Sequence, residues 1–226
     1  MFESLELDIG IITWPNKPER IEYLERCIRR FRTYLHKQER IRFLCSVETD
    51  GVSFESLSKI EWICRGYHVD LIWNRGSACI GANINNLFSN MKTDYLFLAE
   101  DDRLLMRELD LIHDLDVLKN HLDVSLINYS TTKDRKRLCL QGLGELDGFY
   151  IISPISPWVA VNMQLLFQKG FVNKYGLYCE DVKNPDMAER EMNLRLKNAN
   201  TLGLYVPDPY FDYCGKVSAI NRLKVS

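Results

Sequence analysis

Asp94-Tyr95-Leu96-Phe97-Leu98-Ala99-Glu100-Asp101-Asp102 is the stretch on which the reading of the fold turns. Tyr95 to Ala99 is an unbroken apolar run, rich in aromatics and short enough for one buried strand. Three consecutive carboxylates close it. Like charges side by side repel, and they are costly to hold together at a strand end without a cation. In open α/β sheets ligands bind outside the carboxyl ends of strands, which is where this cluster falls. Mg²⁺ or Mn²⁺ takes oxygen ligands and keeps positions open, so a hard divalent ion carrying a substrate phosphate suits such a site. The alternative is an acidic loop that opens a helix, because Asp and Glu are favoured in first turns.

Upstream, strands and helices alternate. Leu7 to Trp14 reads as a buried first strand, broken by Pro15-Asn16-Lys17-Pro18. From Glu19 to Tyr34 an apolar stripe of Ile21, Leu24, Ile28, Phe31 and Leu35 predicts a helix. Ile41 to Val47 is a second strand, ended by the turn signal Glu48-Thr49-Asp50-Gly51, and Ser53 to Arg65 is a weaker helix. Val69 to Trp73 is a third strand, followed by Asn74-Arg75-Gly76 and a helix from about Ile80 to Met91. Four strands alternating with helices before residue 102 predict a doubly wound, mostly parallel sheet.

Downstream the pattern loosens. Leu109 to Leu122 reads as a helix and Val124 to Tyr129 as a strand. Ser130 to Asp147, basic at Lys133, Arg135, Lys136 and Arg137, reads as a mobile loop or a hairpin before a strand at Phe149 to Ile152. Val159 to Gly170 is expected to be a helix ended by its glycine. Met187 to Ala199 is expected to be another, and Leu202 to Val206 a strand.

Apolar content of 46% and charged content of 27% over 226 residues describe an ordinary globular chain with ample length for a core. A net charge of −2 gives no reason to expect nucleic acid or an anionic membrane as partner. With no apolar run long enough for a membrane span and no signal-peptide core, a cytoplasmic location is expected. The seven cysteines are scattered without a C-x-x-C pair, as reduced thiols acting as small hydrophobes would be. The four histidines do not combine with them into a zinc pattern.

Several short elements, in order, resemble the GT-A fold nucleotide-sugar glycosyltransferases, especially those of the family 2 type. They are Thr13-Trp14-Pro15 after the first strand, Asp50-Gly51 after the second, and Asn74-Arg75-Gly76 with Gly81-Ala82-Asn83 after the third. Glu100-Asp101-Asp102 stands as the D-x-D element, and Glu180-Asp181 followed by Leu194-Arg195-Leu196 resembles the family's ED…R element. The resemblance runs over roughly residues 7 to 215. It implies a single domain: a nucleotide-sugar half over about 7–102, an acceptor half over about 103–215, and a tail at 216–226. At 226 residues the chain is near the minimum for the fold, so it could also be part of a larger polypeptide or assembly.

The resemblance also implies roles. The expected activity is metal-dependent, inverting transfer of a sugar from a UDP, GDP or dTDP donor to a carbohydrate or other hydroxyl acceptor. Thr13, Trp14, Pro15, Asp50, Asn74, Arg75, Gly76, Asn83, Glu100 and Asp101 would line the donor site, and Asp102 would bind Mn²⁺ or Mg²⁺. Asp181 would be the general base, with Glu180 orienting it or binding acceptor hydroxyls; Trp158 and Arg195 are acceptor-side candidates. The family's usual late metal-ligating His is replaced here by Tyr213, with Asp212 beside it, so a third protein ligand is not supplied by the motif. Two other functions compete. A sugar nucleotidyltransferase would need a glycine-rich basic loop after the first strand, where Trp14-Pro15-Asn16-Lys17-Pro18 has no glycine. A non-catalytic glycan- or nucleotide-sugar-binding module on a degenerate GT-A fold would tolerate Tyr213.

Overall fold

The computed structural model describes residues 6–35, 40–75, 79–129, 144–152, 164–168, 170–181 and 187–214. Its first half is β1 (Leu7–Thr13), α1 (Pro18–Tyr34), β2 (Ile41–Glu48), α2 (Phe54–Gly66), β3 (Val69–Asn74), α3 (Ile80–Asn90) and β4 (Leu96–Glu100). Local chemistry explains the boundaries. Pro18 opens α1, where a missing N–H costs nothing, and the Ser53 hydroxyl caps α2 by accepting from the Ser56 amide at 3.1 Å. Every residue of β1 is buried, and β1, β2, β3 and β4 pair in parallel.

The second half is β5 (Arg103–Leu105), α4 (Leu111–Asn120), β6 (Val124–Asn128), β7 (Glu145–Leu146), β8 (Phe149–Ile152) and β9 (Leu165–Phe167), then α5 (Phe171–Tyr175), α6 (Met187–Asn198), β10 (Leu202–Tyr205) and β11 (Phe211–Tyr213). One nine-stranded sheet takes strands from both halves in the order β3-β2-β1-β4-β9-β6-β10-β8-β7, and β11 and β5 form a separate ribbon. β9 runs antiparallel to both β4 and β6. This is the α/β, mostly parallel sheet expected, with helices on both faces. β4 touches both layers: Phe97 and Ala99 join the core on the α1 side, Leu96 and Leu98 the core that contains Leu87 and Met192. A strand covered on both faces reads as a continuous apolar run, which is why Tyr95 to Ala99 does not alternate.

Three elements differ from expectation. The helix expected over Val159 to Gly170 is replaced at its end by β9, because a short apolar run seated between two buried strands satisfies its backbone in their ladders. Residues 159–163 of that helix lie outside the described residues. Gly170, at φ +74°, opens α5 instead of closing a helix. The loop or hairpin expected before residue 148 resolves, within its described part, into the β7–β8 hairpin, turned by Asp147 and Gly148 at φ +47° and +86°. Lys133 to Arg137 and the tail from residue 216 lie outside the described residues. The β5–β11 ribbon had no counterpart in the sequence reading; each strand is only three residues long and gains its meaning from the other.

Beneath the end of β6, the Tyr129 hydroxyl donates to the buried Asp114 carboxylate. Burial pushes Asp114 from 3.8 up to about 6, against the pull of that hydrogen bond. The folded carboxyl therefore keeps its proton to higher pH than the unfolded one. Its contribution to stability falls as pH rises from about 4 to about 6, by about 3 kcal/mol in total. Urea unfolding across that window should show a steeper loss for the wild type than for Asp114→Asn, which still accepts from Tyr129 but cannot ionise. Parallel slopes for the two proteins would refute the assignment.

Candidate functional site

The acid triplet ends β4 at the carboxyl edge of the sheet, and its side chains turn inward. Asp101 is fully buried and Asp102 is 7% exposed. The cation that the sequence argument asked for is present in the protein itself. Arg20, in the first turn of α1, places one guanidinium nitrogen on Asp101 Oδ1 and another on Asp102 Oδ2, the latter at 2.9 Å. The Thr13 hydroxyl donates to Asp101 Oδ2 at 2.5 Å. Arg103 Nε lies 3.3 Å from Glu100 Oε2 and 3.7 Å from Asp102 Oδ1. Two guanidiniums thus neutralise most of three carboxylates. These contacts leave Glu100 Oε1 and Asp102 Oδ1, and the latter is buried and without a hydrogen bond.

Burial would lower the Arg20 pKa, but Asp101, Asp102 and Glu100 outweigh it and raise it, so Arg20 stays charged. Burial pushes Asp101 up to about 7, with Arg20 and Thr13 pulling the other way. Burial and the neighbouring Asp102 also raise Glu100. Tyr213, in the position where the resemblance leads one to expect a His, stacks on Arg103, whose guanidinium carbon sits 4.6 Å from the ring centre. The Cys214 amide donates to the Asp102 carbonyl at 3.0 Å, so the ribbon closes over the triplet. Among the described residues no group of three or more His, Cys, Asp and Glu side chains is arranged to hold a metal. A cation here would rest on Asp102 Oδ1, the buried oxygen that makes no hydrogen bond, with its other ligands from outside the protein.

The ends of the neighbouring strands carry the other expected donor residues. The Trp14 indole donates to the Asp50 carbonyl at 3.0 Å, and Pro15 is buried beside it. Asp50 is exposed, and its amide donates to Glu48 Oε1 at 3.0 Å. Glu48 Oε2 accepts from the Asn74 side chain at 2.8 Å, and Asn83 Oδ1 accepts from the Ser46 hydroxyl at 2.8 Å. Burial raises Glu48 despite backbone donors at Asp50 and Thr49. Arg75 is exposed at the end of β3; Gly76 and Trp158 lie outside the described residues.

Glu180 and Asp181 belong to a segment that lies against the first turns of α3. Asn85 Nδ2 donates to Glu180 Oε1 at 2.7 Å and to the Tyr178 carbonyl at 2.9 Å, while Asn85 Oδ1 accepts from the Tyr178 amide at 2.9 Å. A Cβ at Gly81 would stand 2.0 Å from the Cys179 carbonyl oxygen. Because α3 starts where β3 ends, this contact brings the acid pair to the same edge of the sheet as the triplet. The Arg195 guanidinium donates to the carbonyls of Tyr175 and Leu177, earlier in the same segment, and pairs with Glu191 at 3.1 Å, tying α6 to the α5 turn. A cavity of about 370 Å³ between Phe88, Met91, Asp94 and Phe171 sits at the opposite edge, below the start of β4.

With that geometry in hand, likeness to solved structures identifies the fold. S. aureus TarS matches over 92% of this chain and 36% of its own, with a TM-score of 0.59 and 12% identity. The mannosyltransferase PcManGT from Pyrobaculum calidifontis, in complex with GDP-Man and Mn²⁺, matches over 92% of this chain and 56% of its own, with a TM-score of 0.58 and 9% identity. The chain has a glycosyltransferase fold. It spans between about a third and somewhat over half of the length of these two structures. No protein-family model and no curated protein sequence matches it. No described helix is long and apolar enough to cross a membrane.

Arg20, Arg103, Glu48 and Asn85 were not singled out from the sequence. Arg20 did leave a signal: it lies four residues before Leu24 and eight before Ile28, on the buried stripe of its helix, where an arginine needs a partner. Gly81→Ala tests the α3 contact, since the added methyl must displace the backbone at Cys179. The expected cost is about 1–3 kcal/mol, measured by urea unfolding. A variant as stable as the wild type would show that the approach is not as close as described.

Proposed function

We propose that this chain is a metal-dependent, inverting glycosyltransferase of the family 2 type, one GT-A domain moving a sugar from a UDP, GDP or dTDP sugar to a hydroxyl acceptor. The observation that carries the reading is the buried, unbonded Asp102 Oδ1 at the carboxyl end of β4. A carboxylate oxygen in a protein interior with no hydrogen bond, and only the Arg103 Nε at 3.7 Å, calls for an explanation, and a bound cation supplies one. The Mn²⁺ and GDP-Man complex of the structurally similar mannosyltransferase supports the same choice of ligands.

Asp102 would hold Mn²⁺ or Mg²⁺, aligned by the Arg20 bond to its other oxygen. A divalent ion there supplies Lewis-acid stabilisation of the departing diphosphate. Trp14, Asp50 and Asn74, held by one another and by Glu48, would bind the nucleoside, with Thr13, Pro15 and Asn83 as further donor-side residues. Arg75, exposed at the end of β3, would contact phosphate, and Glu100 would meet the ribose or a metal-bound water. Asp181 would take the proton of the attacking hydroxyl, while Glu180, oriented by Asn85, would steady the acceptor. Attack opposite the leaving group inverts the anomeric centre.

A second reading, a binding module that recognises a nucleotide sugar without turning it over, draws on the Tyr213–Arg103 stack where a ligating His is expected. One set of measurements separates them. Nucleoside diphosphate at a hundred times its Kd, with Mn²⁺, should stabilise the fold by about 2.7 kcal/mol under either reading. Only the enzyme should release the nucleoside diphosphate from UDP-, GDP- or dTDP-sugars in the presence of Mn²⁺. Asp102→Asn and Asp181→Asn should each cut that release by a factor of about 100 or more. Turnover left intact by both substitutions overturns the residue roles, and binding with no turnover favours the module.

A further inference from the structure

Resting on the cation reading of Asp102, we infer that Arg20 is a built-in counter-ion that keeps the triplet from holding a divalent ion until a nucleotide diphosphate arrives. The argument is one of occupancy and charge. Both oxygens of Asp101 are taken, by Arg20 and Thr13; Asp102 Oδ2 is taken by Arg20, and Glu100 Oε2 by Arg103. With all three ionised, the carboxylates and two guanidiniums leave one net negative charge; these contacts do not include Glu100 Oε1, and at Asp102 they leave a single buried oxygen with no hydrogen bond. A dication bound to Asp102 Oδ1 shares that carboxylate with a guanidinium 2.9 Å from its other oxygen, and a second guanidinium lies 3.7 Å from Oδ1 itself. Water screens little of that repulsion, because Arg20 and Asp102 are 7% exposed each. Diphosphate changes the balance by adding negative charge and the oxygen ligands that the protein lacks. Arg20 has little freedom to swing away, since its two nitrogens bridge two carboxylates in one fork.

The arrangement makes the cation and the diphosphate bind as a pair, with Arg20 setting the coupling. Free Mn²⁺ measured by EPR during titration of the full chain gives the affinity directly, without turnover. The titrations use Mn²⁺ alone and Mn²⁺ with GDP or with UDP, corrected for the metal–nucleotide complex in solution. The wild type should bind Mn²⁺ at least about 30-fold more tightly with the diphosphate than without it. Arg20→Gln, which keeps a hydrogen-bond donor and loses the charge, should bind Mn²⁺ alone at least about tenfold more tightly than the wild type. Arg20→Lys, which keeps the charge, should not. Circular dichroism checks that each variant is folded. Should Arg20→Gln fail to fold, Arg20→Met, which also removes the charge and keeps much of the side chain's length, takes its place with the same expected gain. Equal Mn²⁺ affinity with and without diphosphate, or an Arg20→Gln protein no tighter than the wild type, overturns the counter-ion role and leaves the proposed function standing. No Mn²⁺ binding under any condition overturns the cation reading of Asp102 itself.

Discussion

The contact on which the site depends is the fork from Arg20 to Asp101 and Asp102. Three adjacent carboxylates at a strand end are an unstable design until something positive reaches them, and here α1 delivers it from the next layer. The same contact joins three elements, since Asp101 also accepts from Thr13 at the end of β1. Buried ion pairs add little net stability compared with apolar packing, but removing one partner costs about 3–5 kcal/mol because the other charge is stranded. The fork therefore sets geometry more than it sets overall stability. It holds α1 over the end of β4, buries Asp101, and leaves one oxygen of Asp102 unbonded.

Around that fixed point the sheet does the positioning. The parallel order β3-β2-β1-β4 puts the ends of four strands along one edge, so residues from four separate turns share it. β9 extends the sheet without a break, lying antiparallel between β4 and β6 and linking the first four strands to the rest. The aromatic cluster of Phe31, Phe97, Tyr129 and Phe211 packs beneath, with ring centres about 5–6 Å apart, and ties the ribbon strand β11 to β4. That packing helps to bring Tyr213 and Arg103 over the triplet.

The second carboxylate pair reaches the edge by a different device. Gly81 lets the backbone at Cys179 come closer than any side chain would allow, and Asn85 satisfies both the amide and the carbonyl of Tyr178. Asparagine is suited to that task because its amide both donates and accepts. Glu180 is then fixed by the same residue that fixes the backbone before it, so its orientation follows from the docking of the segment.

The alternation of strands and helices, the burial of β4 on both faces and the presence of carboxylates at its end were all legible in the amino-acid order. Each is a matter of local periodicity, and periodicity records which side of an element faces the core. The partner of the acid triplet was not legible, because Arg20 and Asp101 lie 81 residues apart and Asn85 and Glu180 lie 95 apart. An arginine on a buried helical stripe announces that it needs a carboxylate without saying which one. Nor could three apolar residues at Leu165 to Phe167 declare themselves a strand. Only the open ladders of β4 and β6 decided it, because unpaired backbone groups in a protein interior must find partners and those two strands supplied them.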